Sequence, residues 1–572
     1  MSPLTPTPVT MTTIDSRTSP TLTDGKNTTC PSVTVRTNSA QPGTSASTTS
    51  TSHGSRVANE TKTSKRQSPI QANGKDDSNP KGPTNGMTAI HKVAPGINRI
   101  ATKPSAQHSM PTNTVWSILD TQLQLWNQSR LHWDCYRKHG PKRATTKRLD
   151  NLLSFVSSPT VLAEAARRVV KRSRNKAVGI DKMTVQQFVQ NKDAILIDLH
   201  KRLTNGTYRP QPVRRVEILK RNGKKRPLGI PCLTDKIVQE AIRKALEPIY
   251  ESEFHQSSFG FRPNRGMQHA VHQCREHVRQ GYHTIIEGDI KACFDKIKHV
   301  AILNMVRVKI KDEMFINLIE RFLNGDVSIN GITHSTTEGV PQGSIIGPIL
   351  ANIVLNRLDW HLERMARIGK YGDTRFVRYA DDFCIFLKDS TADNAVLLKD
   401  DIAQFLHSTT GLELSPEKTL ITDAASGFNF LGFHLSQETN ENANGVRVEI
   451  TADKLQAFKD KLDEIIDGMD MPDQLDNGIG RINSIVRGWG QYARLADNFP
   501  VIAGELDAYI ACRFIHHICH VKGMTREQCR NGYYRKGTRR IGYILIDDYR
   551  LIRLSDLDVI RDVRPPKPYR PK

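Results

Sequence analysis

Cysteine is scarce. Nine residues are scattered over a chain of 572, and no Cys-x-x-Cys pair occurs among them. Such spacing builds neither a disulfide framework nor a paired-cysteine zinc module, and it fits a reducing compartment. Cys512, His516, His517, Cys519, His520 and Cys529 gather on one predicted helix and the loop after it, in a spacing that matches no standard zinc site. Long apolar runs are missing too: none approaches the ~18–20 residues that a membrane-spanning helix needs. The start, Met1-Ser2-Pro3-Leu4-Thr5-Pro6, lacks the charged-then-apolar layout of a secretory signal, and no Arg-rich amphipathic helix marks an organelle transit peptide. A soluble, cytoplasmic protein is expected. Acidic residues are also outnumbered, 59 against 82 Lys+Arg, for a formal net charge of +23. That excess points to a polyanionic partner. Nucleic acid comes before an anionic membrane surface, because no long amphipathic basic helix stands out.

Aromatic residues make up 6% of the chain, and none precedes Trp116. Residues 1–112 are instead rich in Ser, Thr, Pro, Asn and Gly. Such a segment cannot bury enough apolar area to offset the entropy of ordering, so a disordered tail is expected there, mildly basic through Lys62, Lys65, Arg66, Lys75 and Lys81. A helix is expected to follow around Leu119, Leu123 and Trp126, then a basic run over 137–148. Further on, the pattern predicts a helix over 160–172 and a cap at Thr184. A hairpin over 213–219 and 224–230 would turn at Asn222-Gly223, with an amphipathic helix after it over 235–250. Helices dominate from residue 454, over 454–466, 479–492 and 502–521. Strands interleaved with helices make the fold class α+β. Five regions result: 1–112, 113–190, 191–450, 451–515 and 516–572.

The most informative stretch is Phe376-Val377-Arg378-Tyr379-Ala380-Asp381-Asp382-Phe383-Cys384-Ile385-Phe386. It sets two adjacent carboxylates between apolar flanks that read as strands over 375–379 and 383–387, so the acids stand at a hairpin tip. Upstream, Thr284-Ile285-Ile286-Glu287-Gly288-Asp289-Ile290 reads as another buried strand ending on a carboxylate. Asp289 with Asp381 and Asp382 makes a cage for hard divalent cations. Mg²⁺ wants oxygen ligands, and two metals about 3.5–4 Å apart can stabilise both oxygens of an in-line phosphoryl displacement. The alternative is a pair of acids that merely solvates a turn.

With these two segments in place, the chain resembles the reverse transcriptases that group II introns encode, which also act as splicing maturases. The likeness spans roughly 159–494. It rests on Gly206-Thr207-Tyr208-Arg209-Pro210, Lys225-Arg226-Pro227-Leu228-Gly229-Ile230-Pro231, Ser258-Phe259-Gly260-Phe261-Arg262-Pro263, Gly339-Val340-Pro341-Gln342-Gly343-Ser344, Phe430-Leu431-Gly432-Phe433 and Ile482-Asn483-Ser484-Ile485-Val486-Arg487-Gly488-Trp489, in family order. The resemblance implies a right-hand polymerase. Residues 113–190 become a helical RNA-binding extension and 191–450 the fingers and palm, with an antiparallel palm sheet. Residues 451–515 become a helical thumb or maturase domain, and 516–572 a small basic nucleic-acid-binding region. Two Mg²⁺ ions, with Mn²⁺ as a substitute, are implied on Asp289, Asp381, Asp382 and the Ile290 carbonyl.

The same resemblance gives Arg214, Lys220 and Arg226 to the triphosphate, against the alternative of a hairpin that grips template backbone. Phe294 falls where an aromatic wall excludes a ribose 2′ hydroxyl; its alternative is a core Phe after a strand. Pro341 and Gln342 would back the nascent base pair, and Lys418 would stand near the leaving pyrophosphate. Arg487, Trp489, Arg494, Arg535, Arg539 and Arg540 interleave charge and rings for RNA, or line an ordinary solvated helical face. Expected partners are group II intron RNA, a DNA primer or target, and dNTPs, with no membrane and no stable protein partner. A domesticated enzyme of defence or repair and a splicing-only binding protein are the alternatives. Ser344-Ile345-Ile346-Gly347-Pro348 departs from the family pattern by an exchange of Gly and Ser positions. The paired cysteines of an HNH endonuclease are absent, so second-strand cleavage by this chain is not expected.

Overall fold

A computed structural model of the chain describes residues 117–571, apart from 140–147, 174–176, 220–222, 224, 330–331, 335–336, 342, 439–444, 470–474, 536–542 and 547–548. The expected tail over 1–112 and part of the basic run over 137–148 thus lie outside the described residues, as does Asn222 of the expected turn. Helix Ile118–His139 leads into helices Leu152–Ser157, Pro159–Ser173, Val185–Gln190 and Lys192–Thr204. Thr184 opens the fourth of these with a reciprocal cap. Its hydroxyl accepts from the Gln187 amide, while the Gln187 side chain accepts from the Thr184 amide. Leu196, Leu199 and Leu203 recur at helical spacing, and all three are buried.

Strands β1 (Val213–Leu219) and β2 (Lys225–Ile230) pair antiparallel, and helix Leu233–Tyr250 follows, buried along most of its length. After helix Met267–Arg279 comes β3 (Thr284–Asp289), then β4 (Val327–Ile329) and β5 (Ile332–His334). The last two return to the first sheet, where β4 lies parallel to β1 in the order β2-β1-β4-β5. Sequence periodicity gave no hint of this mixed sheet, because three-residue strands carry too few alternations to read.

Helix Gly347–Arg367 leads to β6 (Asp373–Tyr379) and β7 (Asp382–Lys388), and helix Ala392–Thr410 to β8 (Leu420–Asp423). These strands join β3 in an entirely antiparallel sheet of order β6-β7-β3-β8. Both faces of its central strands are covered. Ile286, Phe376, Phe383, Ile385 and Leu387 enter one core with the preceding helices. Ile285, Val377, Cys384 and Phe386 enter a second core, shared with buried residues from Ala424 to Leu554. Cover on both faces explains why β7 reads as an unbroken apolar run instead of an alternating one.

A third, antiparallel sheet contains β9 (Phe428–Phe430), β10 (Phe433–Gln437) and β11 (Val446–Ile450). Leu431 and Gly432 form its two-residue turn, both at positive φ, 53° and 84°. Helices Ala452–Asp467, Leu475–Ala493 and Phe499–Lys522 then pack on the second core through Phe458, Leu462, Ile482, Val486, Leu506 and Phe514. The Tyr492 hydroxyl donates to the carbonyls of Leu431 and Gly432, tying these helices to the third sheet. Helix Phe499–Lys522 runs through residue 515 without a break, so the boundary expected there falls inside one element. No helix among the described residues is long and apolar enough to cross a membrane.

Candidate active site

The register between β3 and β7 sets Asp289 directly opposite Asp382 and Gly288 opposite Phe383. Pairing of β6 with β7 ends at Tyr379 opposite Asp382, which leaves Ala380 and Asp381 as a two-residue turn. Ala380 takes φ 60°, a left-handed conformation that costs a non-glycine residue roughly 1–2 kcal/mol. The Ile290 amide reaches across to the Asp381 carbonyl at 3.4 Å. All three aspartates are half-buried, at the edge where the turn meets the end of β3.

A buried guanidinium holds this turn in its strained shape. Arg378 is 1% exposed, and its Nε and Nη2 donate to Asp359 at 2.6 and 2.5 Å. Its Nη1 donates to Asn352 Oδ1 and to the carbonyl of Ala380 itself, at 3.0 and 2.9 Å. The Arg378 backbone is gripped as well: its amide donates to Ser257, and its carbonyl accepts from Phe259. The strand-like piece over 257–259 is therefore laid against β6. At the next residue a Cβ would stand 2.4 Å from the Ala380 nitrogen, so only glycine fits at Gly260. Arg262 anchors the far side, forked onto Glu251 and donating to the His255 and Ser258 carbonyls.

Sequence reasoning passed over Arg378, Asn352 and Asp359. Their signal was Asn352, Asn356 and Asp359 at helical spacing among the apolar residues of helix Gly347–Arg367.

Negative charge is crowded here. Burial first, then the carboxylates of Asp381 and Asp289, push Asp382 well above the usual carboxylate range. Lys418 answers that charge, its Nζ 3.0 Å from Asp289 Oδ2. Burial pulls the ammonium down, but the hydrogen bond to Asp289 and the charges of all three aspartates outweigh it and hold Lys418 above its ordinary value. Among the described residues no three His, Cys, Asp or Glu side chains are already gathered as a metal cluster, the Cys/His segment over 512–529 included. The aspartates nevertheless fit a hard divalent cation in donor type and charge, since three carboxylates share one edge and have drawn in a cation of their own.

Phe294 follows on the short helix Cys293–Lys296, and its half-buried ring meets the edge of Phe261 at 6.1 Å and 89°. Its carbonyl accepts from Val340, which brings in the loop carrying Pro341. Gly343 in that loop has φ 108°, and a Cβ there would lie 2.1 Å from the Gly229 carbonyl of β2. The exchange of Ser and Gly has a local reason. Ser344 donates to Gln239 Oε1 at 3.1 Å, beside the Ile345 amide at 2.7 Å, while a Cβ at Gly347 would crowd Val340 at 2.9 Å.

Arg214 lies on β1 and donates from Nε to the Val178 carbonyl at 3.0 Å. Arg226 stands in β2 opposite Ile218; Lys220 and Gln342 lie outside the described residues.

The basic and aromatic candidates of the C-terminal part are spread apart. Arg487 is exposed on helix Leu475–Ala493, whereas Trp489 is half-buried and stacks on Phe458 at 4.3 Å and 15°. Arg494 is half-buried, and its carbonyl accepts from Ile560 at 2.7 Å. Arg535 is exposed and bonded to the carbonyls of Asn531 and Tyr534. Arg539 and Arg540 lie outside the described residues.

Residues 218–435, which hold the three aspartates and Phe294, match the family described as reverse transcriptase (RNA-dependent DNA polymerase). The protein YkfC of Escherichia coli K12 is 34% identical over half of this chain and 83% of its own length. Group II intron-encoded protein LtrA of Lactococcus lactis is 34% identical over half of this chain, which spans 56% of LtrA. The COX1/OXI3 intron 2 protein of Saccharomyces cerevisiae is 31% identical over 49% of this chain and 38% of its own length. With residues 218–435 matched by the family and 34% identity carried across most of one relative, the chain belongs to the reverse transcriptase family, among the group II intron-encoded reverse transcriptases and maturases.

Proposed function

We propose that the protein is an RNA-directed DNA polymerase that copies group II intron RNA into DNA and binds that RNA to assist its splicing. One observation carries the reading: Asp289 stands opposite Asp382 across paired strands, with Asp381 in the adjoining turn. The β6-β7-β3-β8 sheet serves as the palm, the β2-β1-β4-β5 sheet as fingers, and helices Ala452–Asp467 to Phe499–Lys522 as the thumb. Residues 191–450 then form the polymerase body, and the thumb domain that starts at 451 runs on to the end of its last helix at Lys522. The flanking region 113–190 and the basic region that follows Lys522 hold RNA, with exposed residues such as Arg535 there and Arg487 on the thumb.

Asp289, Asp381 and the Ile290 carbonyl would hold two Mg²⁺ ions, or Mn²⁺ in their place, with Asp382 in support; bound, they supply charge stabilisation for an in-line displacement at the α-phosphorus. The protein's own contribution is placement. Arg214, Lys220 and Arg226 orient the triphosphate, Pro341 and Gln342 back the nascent pair, and the Phe294 ring excludes a 2′ hydroxyl. Lys418 releases Asp289 and turns to the leaving pyrophosphate.

Purified Asp289→Asn and Asp381→Asn variants tested on poly(rA)/oligo(dT) should lose extension and keep RNA affinity. Full extension by either variant overturns the assignment. A wild-type protein that binds intron RNA tightly yet never extends the primer would establish the splicing-only alternative.

A further inference from the structure

Phe261 has no part in the proposed chemistry, yet the molecule holds its ring in a costly place. It is 57% exposed, among the more exposed large apolar side chains of the chain. Its φ is 58°, in the left-handed region that a bulky aromatic residue rarely adopts and that glycine would occupy without penalty. The loop cannot relax out of that shape. Phe259 is bonded to Arg378, the Gly260 carbonyl accepts from Asn352 at 2.9 Å, and Gly260 is pressed against Ala380. Arg262 is forked onto Glu251 immediately afterwards. One buried network therefore fixes both the aspartate turn and the backbone of Phe261.

The ring uses that position to meet Phe294, at 6.1 Å between centroids and 89° between planes. An edge-to-face pair of this kind is attractive and orientation-dependent. Phe294 sits on a single helical turn, half-buried, and packs only in part on the first core. Phe261 adds an aromatic contact to that partial support.

We infer that Phe261 is a positioning residue for sugar selection: its ring fixes the rotamer of Phe294 and so sharpens the rejection of ribonucleotides. The inference rests on the reading of Phe294 as the wall under the deoxyribose. Its chemistry is steric, and it acts through a neighbouring side chain, not by touching the reacting atoms.

The experiment compares kcat/KM for dTTP and UTP on poly(rA)/oligo(dT) in the wild type, Phe261→Gly, Phe261→Tyr, Phe294→Ala and the Phe261→Gly/Phe294→Ala double variant. Glycine suits φ 58°, so the first variant relieves backbone strain while it removes the ring, and a thermal melt checks that it folds. The dTTP:UTP ratio should fall about 2- to 10-fold in Phe261→Gly, the range one aromatic pair converts to. It should recover in Phe261→Tyr. The double variant should discriminate no worse than Phe294→Ala alone.

An unchanged ratio in Phe261→Gly, beside a lowered ratio in Phe294→Ala, overturns the inference and leaves the gate standing. Equal losses for both nucleotides, as template stacking would give, overturn it too, and so does a Phe261→Gly effect that persists in the Phe294→Ala background. If Phe294→Ala itself leaves the ratio unchanged, the gate reading fails and this inference falls with it.

Discussion

The aspartate turn and the C-terminal helices handle charge in opposite ways. At the turn, Arg378 and Asp359 are both buried and almost fully bonded to each other, to Asn352 and to the backbone they shape. On the C-terminal helices, Arg487 is exposed, and Arg513 pairs with Asp463 and Asp467 at partly exposed positions. A buried pair is a poor source of net stability but a strict constraint on geometry, since losing one partner strands the other in a dry interior. Exposed charge constrains little and is screened by salt, which suits the RNA-binding role proposed for this surface. The protein fixes backbone at the aspartate turn and leaves its cations nearer to solvent on the C-terminal helices.

The sharpest way to break this contrast is Arg378→Ala. It leaves Asp359 buried without its partner and should cost about 3–5 kcal/mol in denaturant unfolding, with loss of primer extension. Lysine should not rescue it, because one ammonium cannot reproduce a fork that reaches a carboxylate, an amide and a carbonyl together. A shift under 1 kcal/mol would show that the turn keeps its shape unaided.

His277 tests the sheet face between the two regions. Its ring lies against Tyr282 and Phe386, and neither ring nitrogen finds a partner among the described residues. Burial first, and the Arg375 charge second, bring its pKa down to about 4. The folded state then binds this proton less readily than the unfolded chain, so His277's contribution is intact above pH 6.5 and is lost as pH falls toward 4. Phe at this position should remove an acid-side loss of about 3 kcal/mol, read as the difference between the two proteins' stability–pH curves. Parallel curves would mean that the ring protonates without hindrance.

A smaller effect separates the departure at Ser344 from a silent one. Ser344→Gly restores the family pattern but removes a hydroxyl from Gln239 Oε1, which keeps the Ile345 amide. A loss of about 1 kcal/mol is expected, together with a higher KM for dNTP if the loop shifts. Unaltered stability and KM would assign the hydroxyl no role.

Arg487→Ala should be the mildest in stability, within about 0.5 kcal/mol. Its signature is instead a weaker RNA complex whose log–log salt slope drops by about 1. An unchanged slope would remove Arg487 from the RNA surface. Trp489 differs from it, being stacked on Phe458, so its truncation should register first as lost packing.

How much of this was legible in the sequence depended on distance along the chain. The apolar run over 383–387, the cap at Thr184, and the three aspartates were readable because neighbouring residues or an ordered motif carry them. Phe294 was named for its position after Asp289; its partner Phe261, in a quoted motif, was not matched to it. The Arg378–Asp359 clamp, the parallel β1–β4 pairing and the Ser344–Gln239 bond were not legible, since each joins elements that no local periodicity links. The stacking of Trp489 on Phe458 was not legible for the same reason, since the two rings lie on different helices.

By itself the sequence determined the α+β alternation, the basic character and the identity of the acids, because composition and short-range pattern are properties of the chain. Only the tertiary structure decided that Asp289 faces Asp382, that a buried guanidinium holds their turn in a left-handed bend, and that the central strands of the sheet are covered by a core on each face. Register and burial are set by contacts between distant segments, and those exist only once the chain has closed on itself.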